Sequence, residues 1–425
     1  MLTLTSKLHT GRHVTSRQRE PRRPKEYCMM KRREFSARLF GGVAGVSLGG
    51  AMNSRSAPTQ AARTARKNNL MHVGGDYHSV AGSHEKGMTT SENLAYNLRH
   101  GVKHLTVQLR KRSTDGGWDP DELKMMKDDC DKYGVMLEAI RMDAEYIKLR
   151  KGPERDRELD KIIGNIRKAA QVGVKIVTYH WTVIPIRRNR QTPGRGGTTY
   201  AGFKLEDNWR DLPAGEAGRV TSDDYWERIT YFLERVIPVA REYDVRMACH
   251  PYDPPGLPFG YQGADNWDSP SVFEAIKRYE AIVDSPYNGF QLCLGTTGEG
   301  LKNPKTEILP IVQYLGERGK IHQIHMRNIR GGLHDFDEVF PDEGVMDFFQ
   351  IVRILRDVQF PGALCPDHMP RHADDPGSKQ ARPRKTAYPA RHGGSAALRC
   401  ASPAAQRCAV PSGSCTILPY GETRP

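Results

Sequence analysis

Between residues 70 and 375 short apolar runs alternate with amphipathic helical stretches, and that alternation leaves few folds open to the chain. The apolar runs fall at 70–73, 103–109, 135–140, 175–179, 245–250, 289–294, 321–327 and 363–367. Helical periods fill the gaps at 91–99, 120–133, 158–171, 225–243, 271–284, 305–317 and 345–357. Gly134, Gly173 and Gly319 stand where helices should end. Eight strand–helix units in sequence predict an α/β protein, a (β/α)₈ TIM barrel over 70–378. An eighth helix is expected after Asp367, where the periodicity stops. One long insertion, 187–221, is rich in Gly, Arg and Thr and follows the fourth strand. A loop at that place lies over the active face of a barrel and is expected to act as a lid.

The two ends differ in kind from this body. Residues 1–29 form a basic leader, with Met29 or Met30 as a candidate true start. In 30–62, Met30-Lys31-Arg32-Arg33-Glu34-Phe35 precedes a weakly apolar, glycine-rich stretch from Leu39 to Met52. That order reads as a twin-arginine export signal and predicts a periplasmic protein, with a cytoplasmic one as the alternative. The stretch is too short and too glycine-rich for a spanning helix, so no stable membrane span is expected. Residues 382–425 are rich in Arg, Pro, Ala, Ser and Gly, show no period and read as a disordered, aberrant tail.

The charge follows the same division. The chain carries a net +14, but 1–69 and 376–425 hold 23 of its 64 Lys and Arg and only 4 of its 50 acids. The body 70–375 is left with 41 basic and 46 acidic residues, a net of −5, which excludes a nucleic-acid groove as its purpose. The 8 cysteines are widely spaced or crowded in the tail, with no Cys-x-x-Cys, so no disulfide framework is expected.

Barrel enzymes carry their chemistry at the C-terminal ends of the strands. Four consecutive strands of this body end on metal-capable side chains: His250, Cys293, His325 and Asp367. Strand alternation puts Gln323, His325 and Arg327 on one face, Cys365 and Asp367 on another, and Gln291 with Cys293 on a third. Adjacent strands then bring the four ligands to one rim. Two imidazoles, a thiolate and a carboxylate suit a divalent transition metal with positions left for substrate. Cys249 and Cys365 fall short of the rim and are expected to pack.

Several of these segments resemble the mannonate dehydratase family. They are Val236-Ile237-Pro238-Val239-Ala240-Arg241-Glu242, Val245 to Pro255 with its His250-Pro251-Tyr252-Asp253-Pro254-Pro255, Asn288 to Gly295, Ile324-His325-Met326-Arg327-Asn328 and Cys365-Pro366-Asp367-His368. The resemblance covers most of 70–378. It implies a xylose-isomerase-like barrel with Mn²⁺ or Fe²⁺ on His250, Cys293, His325 and Asp367. It also implies removal of water from D-mannonate to give 2-dehydro-3-deoxy-D-gluconate, in hexuronate (glucuronate) breakdown.

By the same resemblance His368 is the candidate acid/base. Arg327 should pair with the substrate carboxylate, His180 is a second candidate for acid/base work or hydroxyl binding, and Glu138 is a further polar contact. Expected partners are a small sugar acid and the export machinery, with a homo-oligomer left open. The family's His-Glu-x-x-His-like stretch after the seventh strand is replaced by Phe336-Asp337-Glu338-Val339-Phe340. A sugar isomerase or epimerase on the same barrel, and a non-catalytic sugar-acid-binding protein, are the alternatives.

Overall fold

The structure is a computed structural model, and it describes residues 71–77, 87–143, 145–367 and 369–372. The leader 1–29, the export segment 30–62, the tail 382–425, the expected eighth helix and His368 lie outside the described residues.

Eight parallel strands close into a barrel in the order β1 (His72–Gly75), β2 (His104–Gln108), β3 (Met136–Arg141), β4 (Ile176–His180), β7 (Arg246–His250), β8 (Asn288–Cys293), β9 (Ile321–His325) and β12 (Ala363–Cys365), with β12 pairing back on β1. All eight correspond to the apolar runs of the sequence. Helices α1 (Ser91–Arg99), α2 (Pro120–Lys132), α3 (Pro153–Gln171), α4 (Ser222–Glu242), α5 (Val272–Ile282), α7 (Pro304–Glu317) and α8 (Phe348–Asp357) follow the first seven barrel strands. A short α6 (Leu294–Glu299), which the sequence pattern did not indicate, leaves β8 directly. The barrel architecture expected from the alternation is the one observed.

Local chemistry sets the helix limits. α4 begins at Ser222, three residues before its first apolar position, because Thr221 and Asp224 form a reciprocal capping box with bonds of 3.1 and 2.8 Å. Its buried face, Tyr225, Ile229, Phe232, Leu233, Val236 and Ala240, recurs at helical spacing. Asp119 caps α2 through the Glu122 amide at 2.8 Å, and Pro120 occupies its first turn. Gly134, Gly173 and Gly319 all take positive φ just past helix ends.

Inside the barrel, Gln291 donates to Gln323 at 2.5 Å and Gln323 donates to Thr106 at 2.8 Å, a buried polar row across β8, β9 and β2. Ala139, Ile176 and Ala248 form a small apolar group in β3, β4 and β7. Two bulges shift side chains relative to strict alternation. The β2–β3 register skips Glu138, and the β8–β9 register skips His322.

The insertion 187–221 is more ordered than the expected loop. Its strands β5 (Arg190–Pro193) and β6 (Thr198–Lys204) join β10 (Asn328–Gly332), β11 (Asp335–Val339) and β13 (Arg371–His372) in an antiparallel sheet. These strands leave from the C-terminal ends of β4, β9 and β12, so the sheet belongs to that face of the barrel. Pairing of β6 with β11, from Asp335↔Lys204 to Asp337↔Gly202, absorbs backbone groups that a loop would leave to water.

Among the described residues no helix is long and apolar enough to cross a membrane. Two glycines test the packing. A Cβ on Gly74 of β1 would lie 2.8 Å from both Ala363 Cβ and Cys365 Sγ, whereas a Cβ on Gly164 of α3 meets nothing within 4 Å. Gly74→Ala is expected to lower unfolding stability by about 1–3 kcal/mol through overpacking. Gly164→Ala is expected to raise it by up to about 1 kcal/mol through helix propensity. Urea unfolding of both variants checks the pair; the opposite order would contradict this packing.

Candidate metal centre and active site

The C-terminal rim gathers the strand-end residues. His250 ends β7, Cys293 ends β8 and His325 ends β9. One ligand atom from each lies within 4.8 Å of the other two. Asp367, two residues past β12, lies beside two of the three, with Oδ2 3.7 Å from Cys293 Sγ and Oδ1 3.5 Å from His325 Nδ1. Asp367 takes a left-handed backbone, φ 61°, so its carboxylate reaches the rim by a turn rather than by continuing the strand.

Hydrogen bonds orient the donors. His250 Nδ1 donates to the Pro251 carbonyl at 2.7 Å, which leaves Nε2 for the centre. Asp76, just past β1, holds His325 Nε2 at 2.7 Å and turns Nδ1 inward. Both nitrogens of this ring are buried, and each has a carboxylate beside it, Asp76 at Nε2 and Asp367 at Nδ1. Burial opposes a charge on His325, but Asp367 and Asp76 outweigh it and hold the ring's affinity for a proton well above the ordinary range. Cys293 caps α6 by accepting from the Thr296 amide at 3.4 Å. Burial raises its thiol, yet Arg327 and hydrogen bonds with His250 and His325 bring it down to about 5, so sulfur is a thiolate at neutral pH.

Arg327 is the hub beside this group. It is 2% exposed, and its donors reach Asp367 Oδ2 at 2.9 Å, Glu338 Oε1 at 3.0 Å, Thr296 Oγ1 at 2.6 Å, Cys293 Sγ at 3.6 Å, and Glu299. Arg188, from the insertion, adds bonds to Glu338 at 2.8 Å, Asp253 at 2.8 Å and Glu299 at 3.2 Å. Burial, with Asp253 and Glu338 beside it, raises Glu299 above the usual carboxylate range, against the pull of the two guanidiniums. The expectation that Arg327 faces a substrate carboxylate does not match these contacts, because each of its nitrogens is already engaged by the protein.

Across the rim, His180 ends β4 and pairs in register with His250. Burial, then Arg141 and His250, keeps it neutral, well below the ordinary histidine range. It lines a cleft of about 310 Å³ with Asp143, Glu145, Lys148, Thr182 and Glu216. Arg141, the last residue of β3, donates to the Tyr77 hydroxyl and sits 4.6 Å from that ring's centre. Among the described residues Arg141 has no carboxylate partner. Tyr77 shares the field of Asp76, Asp367 and Cys293, so this guanidinium lies beside the strand-end group.

Of the expected residues, His250, Cys293, His325 and Asp367 meet, Arg327 abuts them and His180 flanks them. Glu138 does not join them: it bonds His72 and His104 at the opposite end of the barrel. Cys249 and Cys365 are buried in packing, as expected. The sequence pattern missed Asp76, Arg141, Arg188, Glu299 and Glu338. Asp76 and Arg141 share one signal, a polar residue at the end of an apolar run. Glu299 and Glu338 have none before the chain is folded.

A family model for D-mannonate dehydratase (UxuA) matches residues 86–207 and 214–409. A mannonate dehydratase of Thermotoga neapolitana is 29% identical over 290 residues, covering 59% of this chain and 78% of the relative. One from Shouchella clausii is 28% identical over 307 residues, covering 63% and 82%. The crystal structure of mannonate dehydratase from Streptococcus suis serotype 2 superposes with a TM-score of 0.65 at 22% identity, over 83% of this chain and 100% of that one, and supports the fold. With the family match extending over more than half of its length, the chain belongs to the D-mannonate dehydratase (UxuA) family.

Proposed function

We propose that this chain is a metal-dependent hydro-lyase that converts D-mannonate to 2-dehydro-3-deoxy-D-gluconate and water. The observation that carries the reading is the meeting of His250, Cys293 and His325 within 4.8 Å, with Asp367 beside them, in a member of this family. The residues fit a divalent transition metal: two oriented imidazoles, a thiolate already ionised and a carboxylate form a mixed N, S and O donor set. Mn²⁺ or Fe²⁺ bound there would supply Lewis acidity toward the carboxylate and neighbouring hydroxyl of the substrate, easing loss of the C2 proton.

The chain's own groups divide the remaining work. Arg141, free of carboxylates among the described residues, clamps the substrate carboxylate and fixes C2 toward the metal ligands. Arg327 is a positioning residue that holds Cys293 and Asp367 in place. His180, kept neutral, hydrogen-bonds a substrate hydroxyl from the cleft side. His368 follows Asp367 in sequence and is assigned the acid/base role, taking the C2 proton or protonating the departing C3 hydroxyl. The body's net charge of −5 fits a small-molecule substrate rather than a nucleic acid. We further propose that residues 30–62 direct the folded enzyme through the twin-arginine route, on the strength of Lys31-Arg32-Arg33 before the glycine-rich stretch.

Production of 2-keto-3-deoxy acid from D-mannonate by metal-loaded protein is the primary assay; isomerisation or epimerisation without loss of water would replace this reading, and binding without turnover would leave a silent sugar-acid receptor. His325→Ala is expected to lose bound metal and turnover together, whereas His368→Ala is expected to keep the metal and lose about 10²–10⁴-fold in turnover. Elemental analysis beside kinetics separates the two; stoichiometric metal in His325→Ala would remove that residue from the ligand set. Arg141→Met is expected to raise KM for mannonate about 10- to 100-fold, the weight of one charge-assisted bond, at unchanged metal content. An unaltered KM would reject the clamp. Fusion of residues 1–70 to a folded reporter is expected to place it in the periplasm only while Arg32 and Arg33 are present; reporter retained in the cytoplasm would reject export.

A further inference from the structure

The end of the barrel away from the catalytic group carries a second set of metal-capable side chains. His72 opens β1, His104 opens β2, and Glu138 is the residue that the β2–β3 register skips. The bulge matters, because strict alternation would carry this carboxylate elsewhere. One ligand atom from each of the three lies within 4.8 Å of the others. His72 Nε2 is 2.7 Å and His104 Nδ1 2.8 Å from the same oxygen, Glu138 Oε2. The other oxygen, Oε1, makes no hydrogen bond among the described residues. The rings are nearly stacked, with centroids 3.7 Å apart and planes at 30°. Both imidazole nitrogens converge on one carboxylate oxygen, an arrangement that a cation can take over by displacing the bridging protons.

We propose that His72, His104 and Glu138 form a second divalent-cation site, of the Zn²⁺ class, separate from the catalytic centre. Two imidazole nitrogens and a carboxylate are a familiar zinc donor set, with water as the fourth ligand. The side chains are 25%, 30% and 12% exposed, enough for an ion to enter from solvent without opening the core. The site is structural. β1 is four residues long and pairs with β2 at two positions and with β12 at two. An ion bridging β1 to β2 and β3 fastens one of the short staves of the closed barrel and stabilises only the folded chain.

The experiment is Zn²⁺ and Co²⁺ uptake by the full chain, compared with Glu138→Gln and His72→Ala/His104→Ala. Wild type is expected to bind one equivalent more Zn²⁺ than either variant, and saturating Zn²⁺ is expected to raise the Tm of wild type more than theirs. Both variants are expected to keep the catalytic metal and turnover. Co²⁺ filling the additional site is expected to give visible d–d bands with no near-ultraviolet thiolate band, since no cysteine belongs to it; the catalytic centre, with Cys293, shows that band. Equal uptake by wild type and both variants, or a thiolate band that accompanies the additional equivalent, would overturn the site. Glu138→Gln is near-isosteric and keeps the test decisive if the double histidine variant folds poorly. The outcome is independent of the substrate, so loss of this proposal and loss of the dehydratase reading are told apart.

Discussion

A buried cation, Arg327, is what allows the group of side chains at the rim to exist. Cys293, Asp367, Glu299 and Glu338 come from four separate elements and would repel one another in a site shielded from water. One planar guanidinium meets all four, because its forked donors point in several fixed directions at once. Arg188 repeats the device one layer outward, toward Asp253, Glu299 and Glu338. The thiolate state of Cys293 follows from this arrangement: without the positive charge, burial would keep sulfur protonated and make it a poor ligand.

The same logic explains why the proposed ligands were legible in the sequence while their supports were not. Parallel strands buried on both faces read as short apolar runs, and the polar residue that ends such a run must point at the rim. His250, Cys293, His325 and Asp367 are four cases of that one rule. Glu299 and Glu338 sit in a short helix and a hairpin strand whose local sequences carry no pattern of burial, and they acquire meaning only when β8 and β11 meet around Arg327. Arg327 itself was found by alternation, but its role was not, since the number of acids around it depends on contacts across the fold. Glu138 lies in the first half of β3, so its place along the strand already put it away from the rim, and only its facing depends on the bulge that interrupts the period of two.

Boundaries show a similar division between local and tertiary causes. Thr221 and Asp224 extend α4 upstream of its apolar pattern, a signal present in the sequence once capping is considered. The insertion after β4 had no such signal. Its Gly and Thr content reads as a loop, yet β6 finds edges on β11 and β13, and β5 pairs with β6 in turn. Strand formation there is a property of the partners rather than of the segment.

That sheet has a mechanical consequence. A flap carried on one connection can swing about two hinges, as many barrel loops do. Here the covering strands are anchored at the ends of β4, β9 and β12 and bonded to one another through β6 and β11. Such a plate is clamped along three seams, and tilting any part of it drags on its neighbours' backbone bonds. A cover held this way keeps its shape as a unit, since no single strand can lift until its pairing through β6 is broken.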